Sequence, residues 1–305
     1  MSEPSTFFAG FAETTLDLPR GAIHLRFGGT GEPVLLLHGN PQTHAMWHKV
    51  APALAACAAV VAPDLPGYGG SFHPDPVADP ASCSRRAIAA TMADVMSALG
   101  HERFAVVGHD RGGLIGARLA LDFPERVTRL ALLDVVPDLD HFERNDMSHA
   151  LAFNYFTWFA QPHPKPEALV SKAPDSWFGG DDANPDVFSP EAVADYRAGL
   201  AQRDAAARMA REVTAGAPFD LAALREDRML GRRLACPVEV IWGQRGQIGG
   251  WYDPGALWSE HATRPAASHG IEAGHFLAEE APAEVVALLT KFLTAEQSRA
   301  TTLSI

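Results

Sequence analysis

The sequence predicts an α/β protein in which a mostly parallel sheet is covered by helices on both faces. Three observations carry this prediction. Short apolar runs alternate with stretches of helical spacing through the first third of the chain. The apolar runs Pro33–Leu37 and Ala58–Ala62 each end in a Gly/Pro/Asn/Asp loop, as strands feeding crossover helices do. The alternation stops after Pro137 and resumes at Pro237, which marks a long insertion in the sheet.

Taken in order, Ala22–Phe27 reads as a strand, and Pro33–Leu37 is an apolar strand running into His38-Gly39-Asn40-Pro41. Ala58–Ala62 is closed by Asp64-Leu65-Pro66-Gly67-Tyr68-Gly69. Arg86–Leu99 is helical, with Ile88, Met92, Val95, Met96 and Leu99 on one face. Phe104–Val107 is a strand, Leu114–Leu121 a helix, and Leu130–Leu133 a buried strand ending at Asp134. From Asp138 to Arg233 the pattern is helical, in Met147–Phe159, Pro190–Ala206 and Phe219–Leu230, with turn clusters between. Strands return at Pro237–Trp242 and Ser268–Ile271, and the helix Ala283–Phe292 closes the fold. The expected organisation is a core of residues 1–137 and 234–305 with a helical cap over 138–233.

Composition narrows the function. With 305 residues, 47% hydrophobic and 20% charged, the chain can bury a large core and is not disordered. It carries 37 acidic against 25 basic residues, a net charge of −12, and no Lys/Arg run, which argues against nucleic acid as a partner. Three scattered cysteines, Cys57, Cys83 and Cys236, form no C-x-x-C and suggest free thiols in a reducing compartment. The start of the chain has no basic-then-apolar leader, and no apolar stretch reaches the ~18 residues a membrane span requires. The expected location is the cytoplasm, without a membrane partner.

The chemistry concentrates in Val106-Val107-Gly108-His109-Asp110-Arg111-Gly112-Gly113. A strand enters G-x-D-x-G and a helix leaves it, the order of a nucleophile elbow, where small residues flank a protruding side chain. No G-x-S-x-G occurs. Asp is also a good helix cap, but here strand, Gly, Asp, Gly-Gly and helix follow the elbow's order. A carboxylate at this place displaces a leaving group from an sp3 carbon to give an alkyl ester. Water must then attack the ester, with a general base and an oxyanion hole.

The base expected from the order nucleophile, acid, His is His275, in Glu272-Ala273-Gly274-His275-Phe276. Two aspartates stand where the orienting acid can lie, Asp134 after the strand Leu130–Leu133 and Asp253 after Pro237–Trp242; Asp134 is preferred. Backbone N–H groups of Asn40 and Arg111 are the expected oxyanion donors.

These motifs resemble the α/β-hydrolase superfamily, in its aspartate-nucleophile branch of haloacetate dehalogenases, haloalkane dehalogenases and epoxide hydrolases. The resemblance spans nearly the whole chain, through His38-Gly39-Asn40-Pro41-Gln42-Thr43, Asp64–Gly69, Gly108–Gly113, Leu132–Pro137 and Gly274-His275-Phe276-Leu277. It implies an eight-stranded sheet, a helical cap, and neither metal nor organic cofactor. The nearest pattern is that of the haloacetate dehalogenases, whose arginine after the nucleophile matches Arg111 and whose acid matches Asp134. It implies that the Arg111 side chain favours an anionic or polar small-molecule substrate.

The chain departs from that pattern at named positions. A second substrate arginine is replaced by Leu114, and a halide-binding His-Trp pair falls on Tyr155-Phe156. The cap tyrosine of the dehalogenases falls near Pro218-Phe219. In epoxide hydrolases a cap tyrosine matches Tyr155, and Tyr196 stands as a substitute for their second tyrosine. In haloalkane dehalogenases the asparagine that binds halide matches Asn40. Tyr155, Phe156, Trp177 and Phe219 are therefore the expected substrate-binding residues of the cap, beside Arg111. A homodimer is compatible with these features. The expected activity is haloacid dehalogenation, with epoxide hydrolysis as the alternative and a catalytically silent binding protein behind both.

Overall fold

The computed structural model describes residues 7–144, 146–153, 161, 165, 184–201 and 205–295. Eight strands form one sheet: β1 (Ala12–Leu18), β2 (Gly21–Gly28), β3 (Glu32–Leu37), β4 (Ala58–Pro63), β5 (Phe104–His109), β6 (Val127–Leu133), β7 (Val238–Gly243) and β8 (Ala267–Ile271). Their order is β1-β2-β4-β3-β5-β6-β7-β8. β1, β2 and β4 pair antiparallel, and every pair from β4–β3 to β7–β8 is parallel. The parallel strands read as continuous apolar runs because helices cover both faces; Val34–Leu37 and Phe104–Val107 are wholly buried.

β1 is the strand the sequence pattern misses. It is an edge strand whose residues alternate between exposed and half-buried, so it lacks an apolar run. A tight turn sets its register on β2, with Leu18 opposite Gly21 and Ala12 opposite Phe27.

The chain steps outward from β3 to β4 and then returns to the other side of β3 with β5. This reversal opens a crevice at the carboxyl ends of β3 and β5, where open α/β sheets bind ligands. The loops after β3 and β5 carry Asn40 and Asp110.

Between β6 and β7 the described elements are all helices: Asp138–Glu143, Met147–Ala152, Pro190–Ala201 and Ala205–Leu230. The last is 26 residues long and runs through Pro218. The sequence pattern starts this helix at Phe219, because proline lacks an N–H and disfavours a helix interior; the structure extends it back to Ala205. The described helix Pro190–Ala201 falls within the expected Pro190–Ala206, of which residues 202–204 lie outside the described residues. Ion pairs hold the long helix to the core: the buried Arg118 with Asp227, and the half-buried Arg85 with Asp220 (3.3 Å). All three cysteines are free thiols. Among the described residues, no helix is long and apolar enough to cross a membrane.

A charged network ties the antiparallel edge to the rest. His24 on β2 sits between two carboxylates, its Nδ1 3.0 Å from Asp64 Oδ2 and its Nε2 2.8 Å from Glu13 Oε1. The bonds to Asp64 and Glu13 outweigh burial and raise the His24 pKa from 6.5 to about 9. Asp64 also binds His44, whose Nε2 accepts from Arg26 Nε at 3.2 Å. A pKa raised on folding contributes stability that is full below pH 6.5 and lost as pH rises through 9. Thermal unfolding should therefore fall more steeply between pH 7 and pH 10 in the native protein than in His24→Gln. The difference corresponds to ~3 kcal/mol at most, at about 1.4 kcal/mol per pH unit. Parallel profiles would show that His24 is not the linked group.

Candidate active site

The turn after β5 is built by close packing. Asp110 has φ 48° and ψ −121°, a strained backbone for a residue with a Cβ. The turn is this tight because its neighbours lack side chains. A Cβ on Gly108 would lie 2.4 Å from the Gly112 carbonyl oxygen, and one on Gly112 would lie 2.4 Å from that of Leu37. The helix Arg111–Asp122 begins immediately after, so Asp110 projects from the strand-to-helix corner.

Asp110 Oδ1 accepts from the backbone N–H of Asn40 at 2.9 Å, and the carboxylate also accepts from the backbone N–H of Arg111. Tyr68 Oη donates to Asn40 Oδ1 at 3.2 Å and steadies that loop. Asp110 Oδ2 faces His275 Nε2 at 3.8 Å. His275 Nδ1 donates to Asp134 Oδ2 at 2.6 Å, and Asp134 Oδ1 accepts from the Gly243 N–H at 3.0 Å. Asp134 is 1% exposed, with both oxygens engaged. His109, buried and held neutral with its pKa lowered to about 4, donates Nε2–H to the His275 carbonyl at 2.8 Å.

Asp134, at the end of β6, therefore carries the bond to His275. Asp253 is exposed and caps the helix Pro254–Glu260, its Oδ1 accepting from Ala256 N–H at 2.9 Å.

The charges are interdependent. Burial disfavours ionised Asp110, but His275 and the two N–H donors outweigh it and hold its pKa below the usual carboxylate range. Burial likewise disfavours imidazolium at His275, but the bond to Asp134 and the charge of Asp110 raise its pKa above 6.5. With Nδ1 fixed by Asp134, the proton-accepting nitrogen is the one that faces Asp110.

A cavity of about 360 Å³ opens over Asp110. Its wall combines Asn40, Asp110 and His275 of the sheet's carboxyl ends with Asp138, His141 and Phe153 of the insertion. Several expected substrate contacts fall elsewhere. Arg111 is half-buried and is not among the described residues lining the cavity; its backbone N–H reaches Asp110. Phe219 is 45% exposed, whereas its neighbour Asp220 turns inward to Arg85; successive helical residues point about 100° apart, so Phe219 faces away. Tyr196 is fully buried but stays out of the cavity wall, donating to Glu279 Oε1 at 3.2 Å and accepting from Gln42 Nε2 at 3.3 Å. Tyr155, Phe156 and Trp177 lie outside the described residues.

The sequence pattern missed Asp138 and His141. Both follow β6 directly in the helix Asp138–Glu143, where their three-residue spacing puts them on one face. His141 Nδ1 lies 2.8 Å from Tyr252 Oη, which lies 2.9 Å from His149 Nε2. A buried Asp and His at helical spacing just past the acid's strand was the available signal.

A family profile for the α/β hydrolase fold matches residues 32–163. A fluoroacetate dehalogenase from Burkholderia sp. is 36% identical over 296 residues, covering 95% of this chain and 96% of that protein. A soluble epoxide hydrolase from Corynebacterium sp. is 31% identical over 284 residues, covering 88% and 93%. A solved Nostoc structure, provisionally assigned as an α/β hydrolase, is 39% identical with a TM-score of 0.89, covering 95% of this chain and all of that one. The structure of the epoxide hydrolase CorEH is 27% identical with a TM-score of 0.80, covering 93% and 98%.

Proposed function

From the premise that this chain belongs to the α/β-hydrolase superfamily and is a hydrolase, we propose that Asp110 attacks an sp3 carbon of a haloacid. The observation that carries the reading is the division of labour on one carboxylate. Oδ1 is held by the Asn40 N–H and the carboxylate also accepts from the Arg111 N–H, while Oδ2 faces an imidazole whose other nitrogen is locked on Asp134.

In the first step an Oδ2 lone pair forms the O–C bond, and the carbon–halogen bond leaves with its electrons as halide. Esterification removes the negative charge that raised the His275 pKa, so His275 becomes a free base just when one is needed. It takes a proton from water, and the hydroxide adds to the Asp110 carboxyl carbon. The oxyanion forms on Oδ1, under the N–H groups of Asn40 and Arg111. Collapse expels the alkoxide, which takes the proton from His275. The Asp110 carboxyl then ionises, and the net products are an alcohol, halide and a proton. The helical insertion acts as a cap, contributing Asp138, His141 and Phe153 to the cavity wall.

A second reading, epoxide hydrolysis, is favoured by one observation. Among its described lining residues, the cavity has no arginine or lysine, whereas His141 offers an imidazole joined to Tyr252. In the first step the Oδ2–carbon bond forms as one ring C–O bond breaks, and the ring oxygen, still attached to the product, takes a proton from solvent that the Asp110 carboxyl returns when it ionises after hydrolysis.

One experiment tests both readings. A panel of 2-haloacids and epoxides is scored for halide release against diol formation, with single turnovers run in ¹⁸O-water. The expected product carries unlabelled oxygen from Asp110, and the label enters the protein. Label in the first-turnover product would mean that water attacks the substrate directly, and the Asp110 mechanism would be rejected.

A further inference from the structure

Asp138 is 4% exposed and stands in the wall of the cavity that holds Asp110 and His275. It also borders a second cavity of about 600 Å³ between the elbow helix and the helix Ala205–Leu230. Its Oδ2 pairs with Arg85, but Arg85 is shared: it also contacts Asp220 Oδ2 at 3.3 Å, and its backbone N–H donates to Asp220 Oδ1 at 2.8 Å. Asp110 adds a third carboxylate to this group, and Arg111 a second guanidinium. Three carboxylates, one buried (Asp138) and two half-buried (Asp110 and Asp220), thus face two guanidiniums. The remaining neighbours do not close the deficit, because His275 and Asp134 across the cavity form a pair of their own, His141 is held neutral by burial, Leu114 is apolar, and the Arg118–Asp227 pair across the second cavity cancels itself.

An anionic substrate in this cavity would bring a fourth negative charge into surroundings of low dielectric. Unscreened charge of that kind is strongly disfavoured. The cheapest relief is a proton on one of the carboxylates. Asp110 must stay ionised to attack, and its donors hold it so. Asp220 has both its oxygens on Arg85.

We propose that Asp138 is a specificity-determining residue whose carboxyl couples the binding of an anionic substrate to the uptake of one proton. The proposal rests on the haloacid reading of this site and adds to it a pH-dependent choice between charged and neutral substrates. Burial, with the charges of Asp220 and Asp110 acting against Arg85, raises the Asp138 pKa to about 6. The carboxyl is therefore largely protonated at pH 5.5 and ionised at pH 8. Carboxylates should bind well at the lower pH and poorly at the higher, while neutral ligands of the same shape should not respond.

The test uses propionate, which has no leaving group, and propionamide as its neutral counterpart, so it does not depend on turnover. Calorimetric titration of the intact protein gives Kd at pH 5.5 and pH 8, and repeating it in buffers of different ionisation enthalpy counts protons taken up. Propionate should bind at least ~10-fold more weakly at pH 8, with nearly one proton taken up per ligand there, and propionamide should not change. Asp138→Asn should flatten the propionate profile and remove the uptake. Equal pH response of both ligands, no proton uptake, an unchanged profile in Asp138→Asn, or no propionate binding at pH 5.5 would each overturn the proposal. The wild-type proton count remains decisive if Asp138→Asn does not fold. Failure of the haloacid reading shows separately, as propionate binding without halide release from any haloacid.

Discussion

Asp110→Ala should abolish turnover, with a loss of at least ~10⁴-fold, since it removes the atom that forms the covalent bond. The cavity contains no substitute. Among its described lining residues there is no Ser, Thr or Cys, and the other carboxylates are committed elsewhere. Asp134 spends one oxygen on the Gly243 N–H and the other on His275, while Asp138 is paired with Arg85. The fold should survive, because alanine at φ 48° carries the same Cβ strain as the aspartate it replaces. Initial rates on a substrate the native enzyme accepts, together with the unfolding temperature, make the check. Turnover within 10-fold of wild type would eliminate Asp110 as nucleophile. Asparagine is the poorer control, since its amide can hydrolyse back to aspartate.

His275→Gln should stop the reaction halfway rather than at the start. Attack on carbon needs only the carboxylate, which the Asn40 and Arg111 N–H groups continue to hold. Hydrolysis of the ester needs a base, and Gln cannot accept a proton at neutral pH. The alkyl ester should accumulate on Asp110 to near one equivalent, with a burst of halide and then turnover lower by about 10³-fold or more. Intact-mass spectra after substrate addition would show the adduct, and peptide mapping would place it on Asp110. An unmodified protein after long incubation with unconsumed substrate would rule out the two-step scheme. Because Asp110 and His275 share charge, the variant should also raise the pKa of free Asp110, making the burst slower at acid pH than in the native enzyme.

Much of the fold and half of the site are legible in the sequence, because they are set by local geometry. The parallel strands are buried on both faces and so spell themselves as apolar runs. The elbow needs Gly108 and Gly112 for close backbone approach, so the turn that projects Asp110 is written in consecutive residues. The edge strand β1 was not legible, because a strand exposed on its outer side has no such run.

The rest required tertiary structure. The choice of Asp134 over Asp253 is a 2.6 Å contact between residues 141 positions apart, fixed by the parallel registers of β6, β7 and β8. Tyr196 and Phe219 kept plausible sequence positions, but burial against Glu279 and a helix rotation toward Asp220 took them from the cavity wall. Asp138 and His141 entered it because the chain turns into a helix directly over the carboxyl end of β6. Sequence spacing records which groups are available for chemistry. Which of them meet depends on how the sheet registers and how the insertion packs across it, and those are sums over many weak contacts that no single motif encodes.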